Sequence, residues 1–284
     1  MALFELFIFL ISFYLLFISC IGHGFLFSKI LKFNDQYSSI GLYGIYGIVA
    51  LTFYSYLTIL IISHNVYFNL LIHILGITIF FYYFKKFKFS SKYIIIILLL
   101  SIALIISKNH DDFPFYHLQQ ALNFSSNKFQ IGLSNLDFSY AYHSSLLYLN
   151  SLFYLPYFKY YLFNSANLII YISVILFFFQ NIFYKNKNKF LNFYALFALI
   201  YITSKFSRLS EFGTDLGGQL IVVLIFFLAI EMFLKKKPQK KNILPILLLI
   251  TFCITIKTYF ILYSLLGLFI IYQFGFKKFA VLLK

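Results

Sequence analysis

The sequence is short of the residues on which soluble proteins depend. It has no tryptophan, two cysteines, four prolines and only eight acidic residues in 284. Charged residues make up 11% of the chain, against roughly 25% in a typical soluble domain. Cys20 and Cys253 both lie inside apolar runs, which excludes a disulfide framework and a cysteine-based metal site. These shortages together exclude a soluble globular protein.

Apolar residues make up 62% of the chain. A helix that crosses a bilayer needs about 20 mostly apolar residues, and about nine stretches approach that length. The predicted spans are 2–27, 39–63, 67–84, 92–107, 164–184, 190–206, 216–234, 242–257 and 258–275. The sequence therefore predicts an all-α, polytopic membrane protein with about nine transmembrane helices.

Lysine clusters predict how these helices are oriented. The net charge is +15, and most of the basic residues fall in the short segments 28–38, 85–92, 185–189 and 235–241 and in the carboxyl-terminal tail. Cytoplasmic loops of membrane proteins collect lysine, so the amino terminus is expected outside. The charge thus indicates the lipid bilayer as a partner and argues against nucleic acid. Lysine and phenylalanine in excess are typical of an AT-rich bacterial genome, which favours the bacterial cytoplasmic membrane.

Acidic residues concentrate on the predicted outer face. Asp111 and Asp112 open the single long outer loop, 108–142, and Glu211 and Asp215 precede the seventh span. The only arginine and a lysine inside an apolar run fall on the same face: Arg208 and Lys257. Charged groups near a bilayer interior usually mark function, so we expect these side chains to meet.

Two short helices are expected in or beside the outer loop, at the membrane surface. Asp112 and Pro114 resemble a helix start, which predicts a helix over 113–125 with Phe115 on its apolar face and His117 facing away. Residues 143–157 are apolar but too short to cross, and their polar residues share one face, which predicts a second juxtamembrane helix.

The paired acids permit several chemistries. Asp111 beside Asp112 could have a raised pKa and act as a general base, while Arg208 and Lys257 neutralise a phosphate leaving group. Structural alternatives are that Asp112 only caps a helix, that Arg208 only pairs with Glu211, and that Lys257 only extends to the interface. No cofactor is expected, with Mg²⁺ or Mn²⁺ held by carboxylates as the open alternative.

Glycines recur every three residues in the second predicted span, at Gly41, Gly44 and Gly47. Small residues at this spacing lie near one side of a helix and allow a neighbouring helix to approach closely. The pattern therefore predicts tight helix packing rather than a binding site.

Over about residues 92–275, the chain resembles the GT-C class of membrane glycosyltransferases, which use polyprenyl-phosphate sugars. The motifs that carry the resemblance are Asp111-Asp112 followed by Phe115 and Tyr116, Asp215 in EFGTDLGGQL, and Lys257 in TIKT. The preceding region, 1–91, resembles instead the amino-terminal part of large bacterial membrane proteins. The resemblance thus divides the chain into a three-span region, 1–91, and a GT-C-like module, 92–284.

The resemblance implies that a sugar moves from a polyprenyl-phosphate-linked donor to a glycan or lipid acceptor on the outer face. Asp111 would be the base, supported by Asp112 or Asp215. The residues implied to bind substrate are Lys257, Arg208, Asp215, His117 and Glu211. Proteins of that class continue beyond nine spans, so this chain is expected to be part of a longer protein. A transporter of lipid-linked saccharides and an inactive remnant are the alternatives.

Overall fold

The computed structural model describes residues 3–33, 39–87, 90–106, 111–185, 188–208, 213–234 and 240–274. Within those ranges the chain is helical between short connections and contains no β-strand. The α-helices are α1 Leu3–Ile30, α2 Ile40–Thr58, α3 Val66–Tyr82, α4 Ser91–Ser101, α5 Leu118–Ser126, α6 Leu133–Leu136, α7 Ser145–Leu152, α8 Ser165–Gln180, α9 Lys189–Ser204, α10 Asp215–Leu234, α11 Lys240–Ile256 and α12 Ser264–Phe274. The prediction of an all-α fold is confirmed.

Among the described residues, four helical stretches are long and apolar enough to cross a membrane: Leu3–Ile30, Ile40–Thr58, Tyr160–Phe183 and Asp215–Leu234. Five further apolar helices have 10–17 residues: Val66–Tyr82, Ser91–Leu104, Lys189–Ser204, Asn242–Ile256 and Thr258–Phe274. Each predicted span thus coincides with an apolar helix, and the chain has the character of a membrane protein. A count of nine crossings stays a prediction, because the shorter helices fall below the length that a bilayer requires.

Contacts between helix ends define two ends of the bundle. At one end the ring of Phe25 in α1 packs on Tyr43 of α2 and on Phe87, which follows α3. At the other end the backbone amide of His64, between α2 and α3, donates to the carbonyl of Phe124 in α5 at 2.9 Å. The segment 111–129 therefore docks on the end of the bundle opposite to the one where Lys29 and Lys86 lie.

The three glycines of α2 confirm the packing prediction, because each one meets a neighbouring helix. A Cβ atom on Gly41 would overlap the backbone of α8 at Ser173, and one on Gly44 would overlap the Ser173 side chain. A Cβ atom on Gly47 would overlap the carbonyl of Cys20 in α1. Helix α2 is thus clamped between α1 and α8, so the predicted regions 1–91 and 92–284 share one buried core.

Helix α7 differs from the predicted surface helix. It has only eight residues, a length of about 12 Å, which is far below the roughly 30 Å of a hydrocarbon core. The prediction that 143–157 does not contain a crossing helix therefore agrees with its length. However, every residue of α7 is buried, and the helix packs against α2, α5, α8 and α11. It lies inside the protein rather than on the membrane surface.

Buried polar side chains of the amino-terminal region hold the carboxyl end of α7. The amide nitrogen of Asn69 donates to the carbonyls of Ser151 and Tyr154 at 2.8 and 2.9 Å. The Nε2 of His73 donates to the carbonyl of Leu152 at 3.0 Å, which leaves its Nδ1 to accept from Ser19 at 3.0 Å. The last carbonyls of a helix have no partner within it, and these donors satisfy them.

The helix predicted over 113–125 is present, as a π-helical turn at Phe113–His117 that continues into α5. Phe115 and His117 lie on opposite sides of it, as predicted, and the polar side is the one that packs on the protein. Phe115 is 67% exposed, whereas His117 and Gln120 on the opposite side are buried. Polar residues face inward here because the neighbouring segment offers hydrogen-bonding groups: Gln120 donates to the carbonyls of Ser139 and Tyr142.

Candidate functional site

Charged side chains from distant parts of the chain meet in one small cleft, with a cavity volume of about 30 Å³. The described residues that line it are Asp112, His117, Arg208, Gly213, Thr214, Asp215, Leu216 and Lys257. Two carboxylates and two cations thus face a common space, which lies where the π-helical turn before α5, the end of α9, the start of α10 and the end of α11 converge.

Asp112 is not a helix cap. Its backbone is already helical, with φ −73° and ψ −8°, and its side chain makes no capping hydrogen bond. Its carboxylate instead accepts a hydrogen bond from the Tyr116 hydroxyl, with 3.2 Å between Oδ2 and Oη. The capping alternative is therefore wrong for this side chain, and Asp112 lines the cleft.

Tyr116 acts as a permanent hydrogen-bond donor in this arrangement. Burial raises the pKa of its hydroxyl above the usual range, and the carboxylates of Asp112 and Asp215 raise it further. The hydroxyl consequently stays protonated at any physiological pH. The Tyr116 hydroxyl can therefore donate to the Asp112 carboxylate throughout that range.

Lys257 forms an ion pair with Asp215, with 3.0 Å between Nζ and Oδ1. The two side chains are 32% and 49% exposed, so the pair stabilises the fold by only about 0–1 kcal/mol. Its main effect is positional. Lys257 has an extended backbone (φ −150°, ψ 135°) between α11 and the 3-10 helix Thr258–Tyr263, which is where the sequence predicted a turn.

A close approach of two helices brings Lys257 to Asp215. A Cβ atom on Gly218, in the first turn of α10, would overlap the ring of Phe260. Phe260 is buried, and its amide donates to the carbonyl of Lys257 at 3.1 Å. The absence of a side chain at Gly218 thus lets the segment that carries Lys257 pack against the start of α10.

Arg208 ends the 3-10 helix Phe206–Arg208 and is exposed at the rim of the cleft. Beside it, the start of α10 is held by Asn167 of α8, whose amide nitrogen donates to the carbonyl of Gly213. The amino terminus of a helix carries unpaired N–H groups and a partial positive charge. Arg208, Lys257 and this helix end are the groups of the cleft that attract an anion, against the two carboxylates of Asp112 and Asp215.

A family model described as a domain of unknown function, DUF8201, matches residues 6–284. The chain belongs to this family. No curated protein and no solved structure matches the chain. The family description names no activity, so the function of this DUF8201 member has to be argued from the cleft itself.

The predicted site residues of this DUF8201 member fall into three groups. Those brought together in the cleft are Asp112, His117, Arg208, Asp215 and Lys257. Asp111, the predicted base, is exposed and lies outside the set of described residues that line the cleft. Glu211 lies outside the described residues, as does its predicted pairing with Arg208.

The carboxylates of the cleft do not form a dense ligand set in the described part of the chain. Within those ranges no three His, Cys, Asp or Glu side chains lie close enough together to hold a metal ion. His110, which the sequence places beside the paired acids, lies outside them. Mg²⁺ or Mn²⁺ binding stays an open alternative.

Three residues important to the site were not predicted from the sequence. Tyr116 was counted only as an aromatic neighbour of the acids, and nothing singled out Asn167. Gly218 had a detectable signal, because the pair Gly217-Gly218 in the first turn of an apolar helix marks a close helix contact. The signal of the two polar residues was hidden by an excess of tyrosine and asparagine throughout the chain.

Proposed function

We propose that this protein is a membrane glycosyltransferase that moves a sugar from a polyprenyl-phosphate-linked donor to a glycan or lipid acceptor. The reaction takes place at the outer face of the bacterial cytoplasmic membrane. The observation that carries the proposal is the cleft in which Asp112, Arg208 and Lys257 converge from segments far apart in the chain. A carboxylate opposite two cations fits a reaction in which a hydroxyl attacks and a phosphate leaves.

Asp112 is the general base in this proposal. Its carboxylate takes the proton from the acceptor hydroxyl while the acceptor oxygen forms a bond to the anomeric carbon of the sugar. The bond between that carbon and the phosphate oxygen breaks, and its electron pair stays on the phosphate. The resemblance to GT-C enzymes led us to expect this role at Asp111. Asp112 is preferred because it lines the cleft and Asp111 does not.

Arg208 and Lys257 stabilise the leaving phosphate. Arginine presents a planar fork that can bind two phosphate oxygens at once, and lysine contributes a compact charge. The amino terminus of α10 lies beside them and also favours an anion. Charge that develops on the phosphate as the bond breaks is therefore met by groups already in place.

Asp215 and Tyr116 are positioning residues. The ion pair with Asp215 fixes the ammonium of Lys257 at the cleft, and the Tyr116 hydroxyl fixes one oxygen of Asp112. Each contact holds one charged group of the cleft in position.

The decisive experiment compares two neighbouring aspartates. Asp112→Asn should lower glycan output in cells by about 10²- to 10⁴-fold, which is the usual contribution of a general base. Asp111→Asn is the matched control. It removes the same charge from the neighbouring residue, whose side chain is exposed. Protein levels in the membrane fraction are measured for both variants.

Equal losses in the two variants would show that the pair acts through charge alone. A silent Asp112→Asn with a damaging Asp111→Asn would return the base to Asp111. Normal output in both variants, with normal protein levels, would exclude a catalytic carboxylate at this position and remove the main support for the proposal.

A further inference from the structure

An aromatic strip leads from the cleft to the surface of the protein. Its members are Tyr116, Tyr142 and Phe138. The Tyr116 hydroxyl bonds to Asp112, and the centroid of its ring lies 5.3 Å from that of Tyr142 at an interplanar angle of 33°. The Tyr142 ring in turn lies 5.6 Å from that of Phe138, edge to face. The three rings form a continuous row that starts at the proposed base.

The two outer rings of this aromatic strip are exposed, so packing in a core does not explain why they are aromatic. Phe138 is 71% exposed and Tyr142 is 54% exposed. Contiguous exposed apolar side chains mark ligand grooves, partner surfaces or membrane contacts. Two of the three rings also carry hydroxyl groups, so the strip offers apolar faces with polar edges.

The strip is held rigidly although it lies on a surface loop. The buried side chain of Gln120 in α5 donates to the carbonyls of Ser139 and Tyr142 at 3.0 and 2.9 Å. The carboxylate of Asp137 accepts from the amide of Ser139 at 2.8 Å, which starts the 3-10 helix Phe138–Ala141. A surface fixed before binding loses little conformational entropy when a ligand arrives.

We propose that the aromatic strip binds the sugar rings of the acceptor, and that the acceptor is therefore a saccharide chain rather than a simple lipid. This rests on the proposed function, because the acceptor hydroxyl must reach Asp112 and the strip begins there. One face of a sugar ring carries mostly C–H groups, which stack on aromatic rings, while its hydroxyls hydrogen-bond to groups at the ring edges. The exposed carboxylate of Asp137, at the outer end, provides a further acceptor for such hydroxyls.

The same segment contains an exposed aliphatic residue, which tests whether hydrophobicity alone explains binding at the strip. Leu136 is 86% exposed and lies two residues before Phe138, but it has no ring. If the strip only rested on lipid, the aliphatic side chain would matter as much as the aromatic ones. If it stacks on sugars, only the flat rings matter.

The experiment uses the full chain in phosphatidylcholine nanodiscs. The sequence has no tryptophan, so Phe138→Trp introduces a single indole at the outer end of the strip, which can be excited at wavelengths where tyrosine does not absorb. The probes are linear tetrasaccharides of β-1,4-glucose, β-1,4-N-acetylglucosamine, α-1,4-glucose and α-1,6-mannose. We expect a saturable change in fluorescence with at least one probe. In this background Tyr142→Ala should raise the Kd about 3- to 10-fold, Tyr142→Phe should raise it less, and Leu136→Ala should leave it nearly unchanged.

No saturable change with any of the four probes would overturn the proposal. So would strong quenching of the indole by brominated phosphatidylcholine together with equal effects of Leu136→Ala and Tyr142→Ala, since that outcome identifies a lipid contact. Saccharide binding is measured here without donor and without turnover. The strip can therefore fail while Asp112, Arg208 and Lys257 keep their proposed roles, and the reverse also holds.

Discussion

A single arginine stands among 22 lysines, and it lies at the rim of the cleft. Arg208→Lys keeps the charge but removes the planar fork, so a bidentate grip on phosphate should weaken. We expect Kd for a polyprenyl phosphate to rise about tenfold, which corresponds to about 1.4 kcal/mol. Binding is measured with purified protein in nanodiscs at fixed salt.

Lys205→Met is the control for this arginine. Lys205 lies three residues away and packs its ammonium over the Tyr201 ring, 5.6 Å from the centroid. It is outside the set of described residues that line the cleft. A similar loss of affinity in this variant would show that the lipid senses the overall positive field rather than a specific grip.

His64 makes stability depend on pH. Burial of its ring lowers its pKa to about 4, whereas a histidine in an unfolded chain titrates near 6.5. Between these values the unfolded state binds the extra proton. The contribution of His64 to the free energy of unfolding is therefore complete above about pH 6.5 and is lost as the pH falls toward 4.

The measurement is the thermal unfolding midpoint in detergent at pH 7.5, 6 and 5, for wild type and His64→Gln. At pH 7.5 the midpoint of His64→Gln should be lower than that of wild type, because the contacts to Ser151 and Thr58 are altered. On acidification the midpoint of the variant should fall by less. The change in unfolding midpoint with pH tests the prediction. An unchanged slope in the variant would show that other groups cause the acid sensitivity.

At the scale of helices, the glycines of α2 set how closely its neighbours can approach. Gly47→Ala would force α1 and α2 apart, because the new Cβ atom meets the carbonyl of Cys20 rather than a movable side chain. We expect a clear drop in the unfolding midpoint and in yield from membranes. Gly267→Ala is the control: its nearest neighbour would be the Leu247 side chain at 3.4 Å, an ordinary contact. Similar losses in both variants would point to glycine flexibility instead.

Sequence reasoning succeeded where a residue was scarce against its background. Asp112, Asp215, Lys257 and Arg208 could be found because charge is rare in this chain and the lysine clusters placed them on one face. The choice between Asp111 and Asp112 could not be made from sequence. Adjacent residues on a turn point in different directions, and the direction is set by how the segment 113–126 docks on the bundle.

The burial of α7 was also beyond the sequence. Eight apolar and small polar residues read alike whether a helix lies at a membrane surface or inside a protein. The deciding partners are Asn69 and His73, which are far away in the chain and bind the last carbonyls of α7. Their role depends on tertiary contacts, which no local pattern encodes.

At the scale of the whole molecule, the two ends of the bundle should face opposite sides of the membrane. In a variant lacking Cys20 and Cys253, an impermeant thiol reagent applied to intact cells should label Lys128→Cys but not Lys86→Cys. Lys128 is exposed on the loop that docks at the cleft end, and Lys86 is exposed at the opposite end. Permeabilised cells provide the control, in which both positions should react. Labelling of Lys86→Cys in intact cells would invert the topology and move the cleft to the cytoplasm.

The enclosure of α7 has a consequence for biosynthesis. Two of the helices that pack against it, α8 and α11, follow it in the chain. Helix α7 is therefore synthesised before these two neighbours. An eight-residue helix cannot wait in the bilayer core as an independent crossing. We expect this segment to stay at the membrane surface during synthesis and to pack into the bundle after α8 and α11 have been inserted. The last step of maturation would then be the one that brings its neighbour, the proposed catalytic loop, into place.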